Sequence, residues 1–188
     1  IELGVVLVEG ILLIGFAVPL WAKVADAFPA ESEATVIRVR GKQFAWVTRY
    51  PGQDGKFGQQ DFRLVTSDNP EGYVKDLEGP DADAWKDDFG SNLNELYIPV
   101  NKPVIAHITS EDVIHAFKVS PFRITQDAIP GLSIPIHFKP TQEGDYLLNC
   151  AQLCGNAHAT MKGYVRVVSQ ARYDEWVAEQ SARAAASG

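Results

Sequence analysis

All the sulfur in this chain of 188 residues, two cysteines and one methionine, falls within one short stretch: Cys150-Ala-Gln-Leu-Cys154-Gly-Asn-Ala-His158-Ala-Thr-Met161. Upstream, in Asp112-Val-Ile-His115, stands an isolated histidine. Imidazole alone suits many metals, but thiolate and thioether beside it make a soft donor set that points to copper and to electron transfer. The competing reading of two cysteines in an exported domain is a disulfide. A bridge between residues so near in sequence closes a very small loop and stabilises little. With His158, Met161 and His115 at hand, metal is the better account. His107 and His137 have no sulfur neighbour and read as structural or surface residues.

Such ligands need rigid elements to hold them. Runs of β-branched and aromatic residues, broken by Gly, Pro and Asp-Gly signals, predict strands at 34–40, 43–50, 62–66, 95–100, 104–109, 113–119, 133–138, 144–149 and 163–168. Many short strands at close spacing predict a mainly β sandwich or Greek-key barrel. His115 then lies on a strand, and residues 150–161 form the loop between the last two strands, where a sandwich can fix them. Only 170–186 reads as helical, with Tyr173, Trp176 and Val177 as its apolar face.

The N-terminus differs in kind. From residue 3 to residue 21 the only charge is Glu9, enough apolar length for a spanning helix, and Trp21 with Lys23 marks an interface. A signal peptide needs a basic start, whereas Glu2 stands here. The absence of an initial Met suggests a processed or partial chain. Glu2 and Glu9 share one helix face, which should meet protein or water rather than lipid. Glu2 is a candidate for proton uptake. The expected organisation is a transmembrane helix at 1–25, a linker at 26–33, the β domain at 34–169, and a C-terminal helix and tail at 170–188. The net charge of −7 argues against nucleic-acid binding and permits attraction to a basic partner.

The pattern Cys-x-x-x-Cys-Gly-x-x-His-x-x-Met, with the upstream Asp-Val-Ile-His and Gln126-Asp-Ala-Ile-Pro-Gly131, resembles subunit II of the haem–copper cytochrome c oxidases. The resemblance covers nearly the whole chain. It implies a transmembrane helix, a cupredoxin-like Greek-key sandwich and a C-terminal helix. It also implies a binuclear copper (CuA) centre in which Cys150 and Cys154 bridge both metals. His115 and Met161 would complete one copper, and His158 with the main-chain carbonyl of Gln152 the other. A blue-copper site needs one cysteine; the second is what argues for two metals. The implied function is to take electrons from cytochrome c and pass them to haem in catalytic subunit I, where oxygen is reduced and protons are pumped. The implied location is the bacterial inner membrane, with the copper domain on the periplasmic face. The family usually has a further transmembrane helix ahead of this one.

Three features depart from that family or extend its pattern. Gln152 stands where the family usually has Glu, so the magnesium ion that such a carboxylate helps hold is doubtful here. Lys118 and Ser120 replace an aromatic residue and a proline. Gln43-Phe44-Ala45-Trp46 corresponds to an aromatic cluster where electrons enter. Extending one alternation from Arg38 through Lys42 and Phe44 to Tyr50 places Trp46 and Phe44 on an outer face as candidate docking aromatics. Among the acids, Glu111 and Asp112 beside His115 are favoured for docking cytochrome c, above the run Asp76, Glu78, Asp81, Asp83, Asp87, Asp88 and Glu95. The rival readings are a thioredoxin-fold copper-delivery protein, a quinol oxidase subunit that has lost its copper, and the CuA domain of a nitrous oxide reductase.

Overall fold

The computed structural model describes residues 1–69, 71–79 and 82–187. Helix α1 (Glu2–Asp26) is long and apolar enough to cross a membrane, and none of it is buried against the rest of the chain. Pro19 sits between two stretches of wider π-type turn, Leu13–Ala17 and Ala22–Asp26, as expected where a ring removes a donor and crowds the preceding turn. Just past the helix, the Phe28 ring packs 4.5 Å from the His137 ring. His137 Nε2 lies 3.3 Å from the Ala25 carbonyl oxygen.

Ten strands follow: β1 (Thr35–Lys42), β2 (Ala45–Tyr50), β3 (Phe89–Gly90), β4 (Glu95–Pro99), β5 (Val104–Ser110), β6 (His115–Val119), β7 (Ile124–Ala128), β8 (Ile134–Phe138), β9 (Gly144–Cys150) and β10 (Lys162–Val168). They form two five-stranded sheets, in the orders β3-β2-β1-β5-β8 and β4-β10-β9-β6-β7. The β1/β5 and β4/β10 pairs are parallel and the others antiparallel. This is the mainly β, cupredoxin-like sandwich that the strand pattern and the resemblance imply. Its core lies between the sheets, where alternate residues such as Ile37, Val39, Leu96, Ile98, Phe117 and Val165 are fully buried. Helix α2 (Gln170–Ser187) closes one end. Its buried Trp176 packs against Tyr50, Phe89 and Tyr97 at ring distances of 4.8, 5.3 and 4.6 Å.

Three expectations need correction. The stretch at 62–66 is not a strand; Phe62–Leu64 is a single 3-10 turn. Asp61 causes it, accepting from the Arg63 N–H at 2.9 Å while its carbonyl accepts from Leu64. Two strands, β3 and β7, do not appear among the predicted ones. The alternation also reverses between β1 and β2. Gln43 and Phe44 form a two-residue turn, so Gly41 pairs with Trp46 and Arg40 with Val47. Cross-strand partners share a face, so even-numbered residues point outward on β1 and inward on β2. Trp46, Thr48 and Tyr50 are therefore core residues.

The acidic run is not one solvated loop either. Asp88 is buried, accepting from the Gly58 N–H at 2.9 Å, and Glu95 pairs with Arg166 at 2.5 Å. Asp81 lies outside the described residues. Burial pushes the Asp88 carboxyl up to about 6, against the Gly58 N–H, Tyr73, Arg49 and Arg38, which favour its ionised form. Raised above its unfolded value, this group binds a proton more tightly in the folded state. Folding stability attributable to it should therefore fall as pH rises from about 4 to 6, by roughly 2–3 kcal/mol. Asp88→Asn keeps an acceptor for Gly58 but removes the titration. In denaturant unfolding, the variant should gain on the parent chain as pH rises from 4 to 7; a constant difference would refute this account.

Candidate metal centre

The antiparallel β6/β9 ladder pairs Phe117 with Cys150, which brings His115, two residues back, beside the start of the sulfur loop. That loop is closed at its base. The Cys150 N–H donates to the Met161 carbonyl at 3.1 Å, and the Ala151 N–H to the Ala116 carbonyl at 2.9 Å. Within it, Gly155 has a φ of +136°. A Cβ there would also meet Gln43 Nε2 at 2.9 Å and the Phe44 ring at 3.0 Å, so conformation and contact both require glycine. A short 3-10 turn, His158–Thr160, then directs His158 back towards the sulfurs.

The six expected donors converge. Cys150 and Cys154 are free thiols with their Sγ atoms 3.8 Å apart, not a disulfide. Cys150 Sγ lies 3.8 Å from His115 Nδ1 and 3.1 Å from the Gln152 carbonyl oxygen. Cys154 Sγ lies 3.5 Å from His158 Nδ1 and 3.7 Å from Met161 Sδ. Donor atoms of His115, Cys150 and Cys154 all fall within 4.8 Å of one another. His115, Cys150, Cys154 and Met161 are buried, whereas Gln152 is exposed and His158 half-buried. Two thiols, two imidazoles, a thioether and a carbonyl on a space of this size fit a soft metal pair. Burial and the neighbouring Cys150 push the Cys154 thiol up to about 11, so loading a metal must displace its proton.

The surroundings orient the ligands. His115 Nε2 is 2.8 Å from Asp112 Oδ1. With its Nε2 proton given to that carboxylate, the ring keeps the Nδ1 lone pair for the metal side. Asp112 also accepts from the Gln43 N–H and the Val113 N–H, both at 2.7 Å. Burial pushes its carboxyl up, but these donors and the His115 ring outweigh that and hold it below the usual value. Gly41 leaves room for the imidazole, since a Cβ there would meet His115 Cδ2 at 2.9 Å. Trp46, 0 % exposed, sets its indole edge-on to the His115 ring at 6.1 Å and to Phe117 at 5.7 Å.

The family is decided by comparison with known proteins. Residues 35–168 match the model of the cytochrome c oxidase subunit II periplasmic domain. The chain belongs to the cytochrome c oxidase subunit II family. It is 34 % identical over 157 residues to the alternative cytochrome c oxidase subunit 2 of Bradyrhizobium diazoefficiens, covering 84 % of this chain and 55 % of that one. It is 31 % identical over 150 residues to subunit 2 of Cereibacter sphaeroides, covering 78 % and 49 %. The chain thus spans about half the length of these relatives. The crystal structure of the periplasmic domain of the Bradyrhizobium japonicum subunit II superposes with a TM-score of 0.59 at 29 % identity, covering 84 % of this chain and 99 % of that domain.

The remaining candidates of this subunit II chain are dispersed. Phe44 is half-buried with its ring against Gly155, but Trp46 is wholly internal and not part of an exposed patch. Glu111 is exposed and pairs with Arg40 at 3.2 Å. Glu2 and Glu9 are on α1, exposed in this chain. His107 on β5 and His137 on β8 lie outside the His115–Cys150–Cys154 cluster. Gln43 was not among the sequence candidates; its side-chain N–H donates to the Cys154 carbonyl at 2.6 Å, pinning the sulfur loop to the β1–β2 turn. Asp112→Ala should weaken copper binding by about 10–100-fold, the usual cost of losing a carboxylate behind a ligand histidine. Competition against a copper chelator measures it, and unaltered affinity in a folded variant would contradict the positioning role.

Proposed function

We propose that this chain is the electron-receiving subunit of a cytochrome c oxidase, taking single electrons from cytochrome c at a binuclear CuA centre. From there they pass to haem in catalytic subunit I, where oxygen is reduced and protons are pumped. The observation that carries the reading is the convergence of two unpaired thiols with His115, His158, Met161 and the Gln152 carbonyl. When bound, two coppers sharing two thiolates would hold one delocalised unpaired electron. Cys150 and Cys154 are assigned as bridges, His115 and Met161 to one metal, His158 and the Gln152 carbonyl to the other. The chain's own part is to fix these donors in a preformed, largely buried shell, so that little rearranges when charge arrives.

The same reading orders the outer residues. Phe44 reaches the surface and touches the sulfur loop, so it is assigned as the aromatic contact for the donor, with Trp46 behind it against His115. Leu153, 78 % exposed, with exposed Val113, Ile114 and Leu132, adds apolar surface among the exposed residues of the chain, as a docking face requires. Glu111 and Asp112 supply negative charge for a basic partner. Residues 1–25 anchor the chain in the inner membrane, with 34–169 as the copper domain on the periplasmic side. Glu2, at the start of α1, remains assigned to proton uptake. Gln152 offers an amide where a carboxylate would serve magnesium, so no magnesium is assigned.

A thioredoxin-fold reading is disfavoured because Cys150 ends a strand and Cys154 lies in a loop, rather than opening a helix. The complete donor set disfavours a copper-free quinol oxidase scaffold, and α1 disfavours a nitrous oxide reductase domain.

Copper-loaded chain should hold two coppers per polypeptide and give a seven-line electron spin resonance pattern. A four-line, one-copper spectrum would overturn the binuclear assignment. For docking, Glu111 is a cleaner probe than Asp112, which is committed to His115. Glu111→Gln should slow reduction by cytochrome c at low ionic strength and leave the rate at high salt unchanged. A rate equally altered at both would remove Glu111 from the docking face.

A further inference from the structure

Residues 55–60 and 71, from the connection between β2 and β3, lie over the outer face of the β1/β5 pair. Between them lie two adjoining hollows of about 650 and 380 Å³, sharing Arg38, His107 and Ser133 in their walls. These volumes fall in the range of small-molecule sites. Arg38 and His107 are direct register partners across the parallel β1/β5 pair. Their neighbours Ile37, Val39, Ala106 and Ile108 all point into the core, so both side chains must point into the cleft.

Arg38 is held but not neutralised. Its guanidinium stacks 4.2 Å over the Phe57 ring and donates to the Gln60 side-chain carbonyl at 2.9 Å and the Gly58 carbonyl at 3.3 Å. Both acceptors are neutral. Among the described residues no carboxylate lies within ion-pair distance of it. Its neighbours differ: Arg40 pairs with Glu71 and Glu111, and Arg49 with Glu71. Asp88 acts on Arg38 only through space, its carboxylate being turned to the Gly58 N–H. Beside Arg38, the half-buried His107 ring has no hydrogen-bond partner among the described residues. Burial and the Arg38 charge pull its pKa down, and exposed Glu31 on the rim pushes the other way. A fixed, partly desolvated cation beside an imidazole with free nitrogens and a serine hydroxyl is a recognition set for an oxyanion.

We propose that this cleft binds a small phosphate-type oxyanion through Arg38, His107 and Ser133. The anion would supply the charge that Arg38 lacks and bridge β1, β5 and the start of β8 beneath the 51–88 connection. The site is separate from the sulfur loop. Its lower rim, Glu31 and Ser32, follows α1 by only a few residues, so the phosphate could be free in solution or carried on a lipid headgroup.

Titration of the full chain in zwitterionic detergent with inorganic phosphate, followed by calorimetry at pH 7, tests this. One saturable site is expected. Arg38→Gln should weaken it by roughly 10- to 100-fold, the worth of a charged hydrogen bond, and His107→Gln by a smaller factor. No saturable binding to the parent chain, or binding that neither variant alters (an adventitious ion only), would overturn the proposal. Should Arg38→Gln fail to fold by circular dichroism, His107→Gln, which breaks no hydrogen bond, decides alone. Repeating the titration in nanodiscs separates the sources. Phosphate binding that survives in phosphatidylcholine but is lost in phosphatidylglycerol marks a lipid headgroup, and binding equal in both marks a soluble anion.

Discussion

The carboxylate of Asp112 accepts hydrogen bonds from the Gln43 N–H, the Val113 N–H and the His115 ring at once, and the geometry of the candidate metal centre depends on it. Those three donors come from the β1–β2 turn, from the approach to β6, and from a buried ligand. Bonds to an ionised acceptor are about twice as strong as neutral ones. Three of them hold the carboxyl ionised although burial favours the protonated form. The orientation of the imidazole is therefore set by the register of a hairpin in the other sheet. Gln43 repeats the coupling from its side chain, which donates to the Cys154 carbonyl. One turn thus fixes His115 on β6 and the backbone of the sulfur loop together.

Packing completes what these bonds begin. His115 is wholly buried between Gly41, which yields the space, and Trp46, which fills the next layer. Met161 and Cys154 are nearly as dry, while Gln152 and Leu153, on the same loop, face solvent. The loop is consequently two-sided, with donors inward and contact surface outward. Ligands bound on rigid strands and locked by a close-packed shell have few alternative rotamers. Small rearrangement on a change of charge is what the proposed one-electron role demands, and ordinary core packing would supply it here.

Much of this was legible in the sequence, and the reasons differ by residue. The candidate donors stand out because sulfur is so scarce in this chain and all of it clusters between residues 150 and 161. The sandwich follows from many short β-branched and aromatic runs separated by turn signals. Asp112 was visible as a charge beside His115, but not as its anchor, because the bond that ties it to the β1–β2 turn, from the Gln43 N–H, spans 69 residues of sequence. Gln43 stood in the sequence only as the lead of the Gln43-Phe44-Ala45-Trp46 run; its reach to the Cys154 carbonyl leaves no pattern, because a side-chain amide on a backbone carbonyl has no sequence signature. The misplacement of Trp46 has a specific cause: a two-residue turn reverses the parity of inward positions, and an alternation extended through it assigns the wrong face. β3 is too short to show a pattern, and β7 (Ile124–Ala128) runs into Gln126-Asp-Ala-Ile-Pro-Gly131, whose polar residues and Pro-Gly turn signal mask its strand character.

The outer face of the first sheet poses a different problem. Arg38, Arg40 and Arg49 stand together there because β1 and β2 pair in register, Arg38 opposite Arg49. Three cations on one half-covered face repel one another, and covering them with chain removes the water that would screen them. The 51–88 connection brings acids to this face, with Glu71 reaching both Arg40 and Arg49. Asp88 lies so deep that its own carboxyl is raised to about 6, so as pH falls towards that value the compensating charge is lost to protonation. A buried acid is an inefficient counter-ion. That leaves Arg38, stacked on a phenyl ring and bonded to neutral oxygens, as the one of these three arginines with no paired carboxylate among the described residues.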